Sequence, residues 1–446
     1  MRLGCSRSLP SRFRRFGGPI ARPSFRETRT VLSAFTAARA AELPGPDWLR
    51  ALRAAAVERY EAAPAPSSIP ESWRYSPIGE IDLESFAPAS AAGGEGVPAR
   101  KLAGAAATIV VRNGSLVSAD INESAGVTVT TNDELPLLVP PEPDALTHLH
   151  DAFVPEVVVV RIAAGAVVDG AILIENVIDG EDTISFPHVV VDAGAQSEAT
   201  VVEWSTSSDA RLFVDPVTEL HVGAAANLRF ISLQDLGGQT WQTGHVLTTI
   251  GRDATLKAWV LSIGAAYGRT YVAATMAGQG GSAHIAGVYF GDEQQVHDVR
   301  SLQDHVGIRS ISDFQLKGAV VDEARGVYTG LIRVQEGAKA TESFLGNRNL
   351  VLSDGAHVDA VPNLEILNEN DIRSCGHAAA TGPVDEEHLF YLESLGIPTD
   401  AAQRLIVSGF FDDVLNDVPV AEVRDAVRAD VARKLAKAKI AVTRVA

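Results

Sequence analysis

Cys375 and His377 are the two residues of this chain whose types and spacing are best suited to chemistry. They lie in a Cys-Gly-His sequence that we interpret as a turn near the end of a β domain. A thiolate and an imidazole could bind iron or sulfide transiently. A stable iron–sulfur cluster usually takes four ligands, which one cysteine and a few histidines cannot supply. Any cluster at Cys375 and His377 would therefore be shared across a subunit boundary, or be absent.

A second candidate for metal binding combines two histidines with two aspartates, His297-Asp298 and Asp304-His305. Neutral imidazoles and carboxylates can hold a divalent metal. The same residue types at turns also satisfy backbone groups, so a structural role is the alternative. His148 and His150 form a weaker pair, because they lie in a proline-flanked loop without Cys or Glu at ligand spacing.

Several other motifs exclude common kinds of enzyme. The segment from Gly278 to Ala283 matches a dinucleotide-binding pattern, but the residues after it continue as a strand, so we interpret it as a corner between strands. The sequence has no G-x-x-x-x-G-K-[ST] motif, and the chain should not hydrolyse ATP by itself. It also has no G-x-S-x-G or H-E-x-x-H motif.

The elements that must position these residues are short β-branched runs separated by small residues, from about Arg100 to Ile366. Turn alanines follow one another at intervals of 29, 30, 29 and 29 residues; they are Ala166, Ala195, Ala225, Ala254 and Ala283. Such a repeat favours a parallel β-helix, and a β-sandwich is the alternative. We therefore predict a mainly β fold, with a right-handed parallel β-helix core flanked by small helical N- and C-terminal domains.

The C-terminal residues predict amphipathic helices with clear starts and stops, marked by Asp385, Gly396 and Pro398. Their apolar residues offer more surface than two short helices need for each other; they are Phe390, Leu392, Leu405, Phe410 and Val414. Packing against the β domain is one explanation, and a docking face for another protein is the other. A third helix should bury the stripe Val420, Val423, Val427, Val431 and Leu435.

Charge and composition limit the partners and the compartment. The net charge of −18 argues against nucleic acid or an anionic membrane as a partner. No apolar run reaches the ~18 residues that cross a bilayer. Two cysteines, Cys5 and Cys375, suit a reducing cytoplasm rather than a disulfide framework.

The first thirty residues differ from the rest, because they hold eight arginines and one acidic residue, Glu27. They could form a transit peptide, but a start assigned too far upstream explains them better, with translation beginning near Val31. We divide the chain into a basic leader that is disordered or absent (1–30), a helical N-terminal domain with a linker (31–99), the β-helix core (100–366) and a helical C-terminal domain (367–446).

The C-terminal segment resembles the SufB/SufD family of iron–sulfur cluster assembly proteins. The matching residues are Asp371-Ile372-Arg373, His377, Gly382, Asp385-Glu386, Leu389-Phe390-Tyr391-Leu392, Ser394, Gly396-Ile397 and Gly409-Phe410-Phe411. Upstream, Glu71-Ser72-Trp73-Arg74 resembles the family's entry motif, which we interpret as an aromatic packing anchor. The β domain has no cysteine, and 376–380 read Gly-His-Ala-Ala-Ala, so within the family the chain is most similar to SufD.

This resemblance implies a non-catalytic cytoplasmic scaffold that pairs with a SufB-like subunit in a hetero-oligomer and docks a SufC-like ABC ATPase. Cys375 and His377 would lie at the cluster-assembly interface, where His377 could bind metal transiently. The residues expected to dock the ATPase are Phe390, Leu392, Leu405, Phe410 and Phe411. We expect no stably bound cofactor, and a transient iron–sulfur cluster shared with SufB. The alternatives are a SufB-like homodimeric scaffold and a β-helix enzyme acting on polysaccharides.

Overall fold

A computed structural model describes residues 34–66, 71–90, 100–123, 126–368 and 371–438. The predicted basic leader lies outside these residues. Within them, the helices are α1 (Ala37–Glu42), α2 (Asp47–Ala62), α3 (Ala145–Phe153), α4 (Glu386–Ser394), α5 (Thr399–Leu415) and α6 (Ala421–Lys437), with short 3-10 turns at Glu71–Trp73, Ile78–Glu80 and Leu83–Ser85. No helix in the described residues is both long enough and apolar enough to span a membrane.

Strands make up most of the described chain. In chain order they are β1 (Ala87–Pro88), β2 (Ala107–Arg112), β3 (Ser115–Ile121), β4 (Val127–Thr131), β5 (Val157–Ile162), β6 (Val167–Ile178), β7 (Thr183–Ser185), β8 (His188–Ala193), β9 (Glu198–Ser207), β10 (Leu212–Val214), β11 (Val217–Val222), β12 (Asn227–Asp235), β13 (Thr240–Ile250), β14 (Thr255–Ser262), β15 (Tyr267–Met276), β16 (Ser282–Gly291), β17 (Val296–His305), β18 (Ile311–Val320), β19 (Arg325–Val334), β20 (Thr341–Val351), β21 (His357–Ile366) and β22 (Ile372–Gly382).

The strands form two long sheets that the chain visits in turn. Sheet A has the order β21-β19-β17-β15-β13-β11-β8-β5-β4, and sheet B has the order β22-β20-β18-β16-β14-β12-β9-β6-β2-β3. From β5 onward, neighbours in each sheet pair in parallel, so each turn of the solenoid adds one strand to each sheet. The predicted parallel β-helix is confirmed, and the β-sandwich alternative is wrong.

One corner of the solenoid explains the sequence repeat. Seven residues there have left-handed backbone conformation, at intervals of 31, 29, 28, 27, 29 and 31 residues; they are Gly165, Gln196, Ala225, Asp253, Gly280, Arg309 and Ala340. The backbone N–H of each donates a hydrogen bond to a carbonyl of the next turn, as from Gly280 to Ile308. This corner ladder confirms that Gly278 to Ala283 is a corner. The turn alanines predicted from the sequence do not all occupy the same place in a turn of the solenoid, because Ala225 lies on the corner ladder whereas Ala283 is inside β16.

The space between the two sheets is filled by aliphatic and aromatic side chains from successive turns. Buried representatives are Ile172, Val201, Phe230, Leu256 and Ile285. Strands covered on both faces read as continuous apolar runs, which is why β5 and β8 carry four and three consecutive valines. Burial of apolar surface on this scale is the main stabilising contribution to the fold.

The N-terminal segment is fastened to the outer face of sheet A. Trp73 is buried, and the guanidinium of Arg269 lies 3.8 Å from the centroid of its ring. Arg300 donates to the carbonyl of Arg74 at 2.7 Å and forms an ion pair with Asp298 at 2.8 Å. The interpretation of Trp73 as a packing anchor is therefore confirmed.

Helices α5 and α6 cover the outer face of sheet B. The predicted stripe on α6 is largely confirmed, because Val423, Val427, Val431 and Leu435 are all buried in this contact, while Val420 is partly buried. Lys434 is also buried, and its ammonium group donates to the backbone carbonyls of Ile263 and Phe290, each at 2.7 Å. The helices are thus held by apolar packing and by one buried cation.

Candidate functional site

The solenoid ends in two strands that have no further strand beside them in the described residues. They are β21 in sheet A and β22 in sheet B, and together they form what we call the open end. Much of β22 is exposed, and the apolar side chains of Leu364 and Leu367 near the end of β21 are exposed as well. Unpaired backbone groups and uncovered apolar residues make this edge suited to pairing with another chain.

Cys375 and His377 lie within β22, so the prediction of a turn is wrong. Strand β22 pairs with β20, which places Cys375 beside Ser343 and His377 beside Leu345. Residues two apart in a strand point to the same face. Because Ser343 and Leu345 are buried in the interior, Cys375 and His377 extend that interior face beyond the last turn. The solenoid ladder thus runs past 366, where the sequence predicted its end.

The two side chains differ in their surroundings. Cys375 is half-buried against the core, and burial raises the pKa of its thiol. A protonated thiol is a poor nucleophile and must lose its proton to bind metal. His377 is exposed and is therefore accessible to a ligand or a partner. Together they offer one sulfur and one nitrogen donor at the open end.

The structure does not bring the other predicted metal ligands together. His297 is buried in the interior, where its Nδ1 lies 2.9 Å from the hydroxyl of Ser262, and burial lowers its pKa to about 3. Asp298 points to the opposite face and pairs with Arg300. His305 lies between the hydroxyls of Ser310 and Ser312, each at 2.8 Å. These residues have structural partners.

His148 and His150 lie on α3 rather than in a loop, and only His150 is fully buried. Throughout the described ranges, no group of three or more His, Cys, Asp or Glu side chains is placed to hold a metal ion.

The residues predicted to dock an ATPase differ in how exposed their side chains are. Phe390 and Leu405 are 72% and 54% exposed, while Leu392 and Phe410 are half-buried. Phe411 is only 1% exposed and contacts Phe290, with ring centroids 5.9 Å apart. Phe411 is thus corrected to a core residue, because its ring fills the contact between α5 and sheet B.

Two further exposed apolar residues lie near Phe390 in the chain, Tyr391 on α4 and Leu395 directly after it. We call Phe390, Tyr391, Leu395 and Leu405 the helix patch. The docking prediction omitted Tyr391 and Leu395, although an apolar run on a short helix between two stops was a signal that could have identified them. Only 383–385 separate β22 from α4, so the helix patch follows the open end directly in the chain.

Comparisons with known proteins agree on one family. Residues 176–410 match the family model for the SUF system FeS cluster assembly, SufBD core domain. An iron-sulfur cluster assembly SufBD family protein of Mycobacterium tuberculosis is 35% identical over 263 residues, which is 57% of this chain and 65% of the relative. The iron-sulfur cluster assembly protein SufD of Escherichia coli is 28% identical over 76% of this chain and 82% of its own length. SufD of Bacillus subtilis is also 28% identical, over 65% and 67% respectively.

Proposed function

Because the chain belongs to the SufBD family of the SUF system for iron–sulfur cluster assembly, we propose that it is a SufD-type scaffold subunit acting in the cytoplasm. In this proposal it pairs with a SufB-like subunit through the open end and docks a SufC-like ATPase through the helix patch. The observation that carries the proposal is the exposed edge strand β22, which bears both Cys375 and His377.

Pairing through the open end is supported by what the last turn leaves uncovered. The exposed side chains of Phe344, Leu364 and Leu367 are apolar, and strand edges carry backbone groups that seek partners. A second solenoid with a similar edge could continue the ladder by β-strand addition. Such pairing would cover the apolar residues and enclose Cys375 and His377.

A cluster at this interface would need ligands from both subunits. Cys375 and His377 provide two donors, whereas iron–sulfur clusters usually take four. Metal binding at this interface would also displace the proton of the Cys375 thiol, so the thiol must be deprotonated when the cluster is assembled. We therefore infer that the cluster is assembled transiently between subunits, and that the free chain keeps no cofactor.

The helix patch supports a separate docking role. Four large apolar side chains are exposed within one helical hairpin, and Asp385, Glu386 and Glu387 are exposed at its first turn. Apolar patches with a charged rim are typical of protein interfaces. ATP hydrolysis would be supplied by the docked protein, because this sequence has no phosphate-binding glycine-rich loop with lysine.

Co-expression of the chain with a SufB-like and a SufC-like protein from the same organism tests the proposal. Native mass spectrometry after affinity purification should recover one copy of this chain, one SufB and two SufC. Leu367→Asp should reduce recovery of SufB at least tenfold, whereas Val117→Asp, at an exposed apolar residue of β3, should not. Recovery of the chain alone, or only as a homodimer, would contradict the SufD role and favour the homodimeric scaffold.

A further inference from the structure

The last strand of sheet B departs from the regular ladder by one residue. Between β9 and β20, the paired residues of neighbouring strands in this sheet advance one for one. Strand β22 begins in the same way, with Ile372 beside Thr341, but the next residue of β20, Glu342, lies beside Ser374. Arg373 and Ser374 together therefore oppose one residue, which is a β-bulge.

The side chains around the bulge lie where an extra residue would put them. Ile372 and Cys375 both pack against the interior cluster, although they are three positions apart. In a regular strand, side chains alternate, so residues three apart would face opposite sides. Arg373 and Ser374 are consecutive and both exposed, and Arg373 donates to Glu342 at 2.9 Å. The bulge thus reverses the facing of every later residue in β22.

This reversal decides where the two donors of the candidate site point. In the bulged register, Cys375 and His377 lie beside Ser343 and Leu345, whose side chains are buried in the interior. A regular register would move each donor along by one residue, so that Cys375 would lie beside the exposed Phe344. A slip of one residue turns a whole strand over, so both donors would then point outward.

Apolar packing gives β22 little preference between the two registers. After Cys375, residues 376–382 read Gly-His-Ala-Ala-Ala-Thr-Gly. Both faces of this stretch carry small residues apart from His377, so no large apolar side chain favours one face. Register is weakly specified in strands of this kind. A polar contact can therefore decide the register.

Thr381 makes such a contact with a buried amide. Asn349 is buried, and its Nδ2 donates to Oδ1 of Asn347 at 2.7 Å and to the hydroxyl of Thr381 at 3.2 Å. Its Oδ1 accepts from the hydroxyl of Tyr289 at 2.8 Å. The regular register would place Thr381 beside Leu350 and turn it outward, which takes away one partner of this amide. A buried donor without a partner is costly, so this contact favours the bulged register.

We propose that the bulge at Arg373 turns Cys375 and His377 towards the interior of the solenoid, and that Thr381 is the positioning residue that holds this register through Asn349. The purpose of the device rests on the proposed function, because both donors then face the space that a second solenoid would close at the open end. The register itself is a property of the free chain.

Disulfide equilibria in the full chain test which face Cys375 occupies. Paired residues of neighbouring strands can form a disulfide only when their Cβ atoms point to the same side. In a Cys5→Ser background equilibrated with glutathione buffers, Ser343→Cys should form a disulfide with Cys375 at an effective concentration at least tenfold higher than Phe344→Cys. A preference measured at equilibrium does not depend on how fast each thiol reacts. Equal values, or a preference for Phe344→Cys, would overturn the proposal.

Further variants in the same two backgrounds test the bulge and its positioning residue. Thr381→Val should lower the preference at least threefold, whereas Thr381→Ser, which keeps the hydroxyl, should preserve it. Deletion of Ser374 removes the bulge but leaves the later pairing unchanged, so it should preserve the preference as well. Thr128→Val, at an exposed position of β4, is the control, and circular dichroism would verify folding.

An unchanged preference in Thr381→Val would overturn the role of Thr381, and its loss after deletion of Ser374 would overturn the role of the bulge. These measurements need no partner protein. A failure of the proposed pairing with a SufB-like subunit and a failure of this register would therefore be separate results.

Discussion

Cys375 shows how burial limits a residue whose type suggests reactivity. The thiol is half-buried and its pKa is raised, so the thiolate is scarce near neutral pH. We predict that iodoacetamide modifies Cys375 in the free chain at least tenfold more slowly than it modifies free cysteine at pH 7.5, with the rate rising as pH increases. Peptide mass spectrometry would measure this, with Cys375→Ser as the blank. Fast modification at pH 7 would show that the thiol is activated.

Lys434 is a buried charge that is held by two backbone carbonyls and by polar side chains. It is 1% exposed, donates to the carbonyls of Ile263 and Phe290, and lies 3.2 Å from Asp292. Lys434→Met keeps most of the volume but leaves these acceptors unsatisfied. The free energy of unfolding should fall by about 2–4 kcal/mol.

Urea denaturation would measure the change in Lys434→Met against Lys437→Met, at an exposed position of the same helix. The control should stay within about 0.5 kcal/mol of the natural chain. Equal stabilities for the two variants would mean that Lys434 does not fasten α6 to the solenoid.

At the scale of elements, α5 has a face that packs in the core, whereas the neighbouring α4 has exposed apolar side chains. Phe411 packs against Phe290, whereas Phe390 is exposed. Phe411→Ala should cost about 3–5 kcal/mol of stability, because it opens a cavity in the core.

Phe390→Asp should leave stability unchanged and weaken ATPase binding at least tenfold.

Chemical denaturation and surface plasmon resonance with a SufC-like protein would separate these two effects. The docking role of the helix patch would be contradicted if Phe390→Asp bound the ATPase as tightly as the natural chain. Loss of stability in that variant would instead place Phe390 in a contact within the chain.

The elements also show what local sequence can and cannot predict. Helix α4 begins at Asp385, which accepts from the N–H groups of Glu387 and His388, and such caps are visible in the sequence. Strand β22 is rich in Ala, Gly and Ser, residues with low strand propensity, so its local sequence predicts a turn. It is a strand because β20 offers a long parallel edge, and that partner lies about thirty residues away in sequence.

The residues of the candidate site could be predicted from the sequence, but their arrangement could not. Cys375 and His377 were identified by residue type, but their shared face depends on the register with Ser343 and Leu345. The opposite directions of His297 and Asp298 follow from strand alternation, which the sequence could not assign before their strand was placed.

For the whole molecule, buried neutral histidines should govern stability in mild acid. Burial lowers the pKa from 6.5 to about 4 in His245 and His305, and to about 3 in His297. The unfolded chain binds protons at these residues below pH 6.5, while the folded chain does not until the pH approaches 4. Stability should therefore fall as pH falls through this window.

A single variant can isolate that effect from other titrating groups. His305→Gln should reduce the loss of stability between pH 6.5 and pH 4 by about 2–3 kcal/mol, because one pKa difference is removed. His284→Gln, at an exposed position, should not. Thermal unfolding at several pH values would provide the comparison, and parallel pH profiles for all three proteins would refute the assignment.

The cover that α5 and α6 place on sheet B has a consequence for how the molecule unfolds. In a bare solenoid each turn touches only its neighbours, and turns can fray one by one from an end. Here the two helices share one buried apolar cluster with side chains from six successive strands of sheet B, from Leu173 in β6 to Ala319 in β18. No turn beneath them can open without loosening a helix that the other turns share. The helices should therefore convert a linear stack of weakly coupled units into one cooperative body.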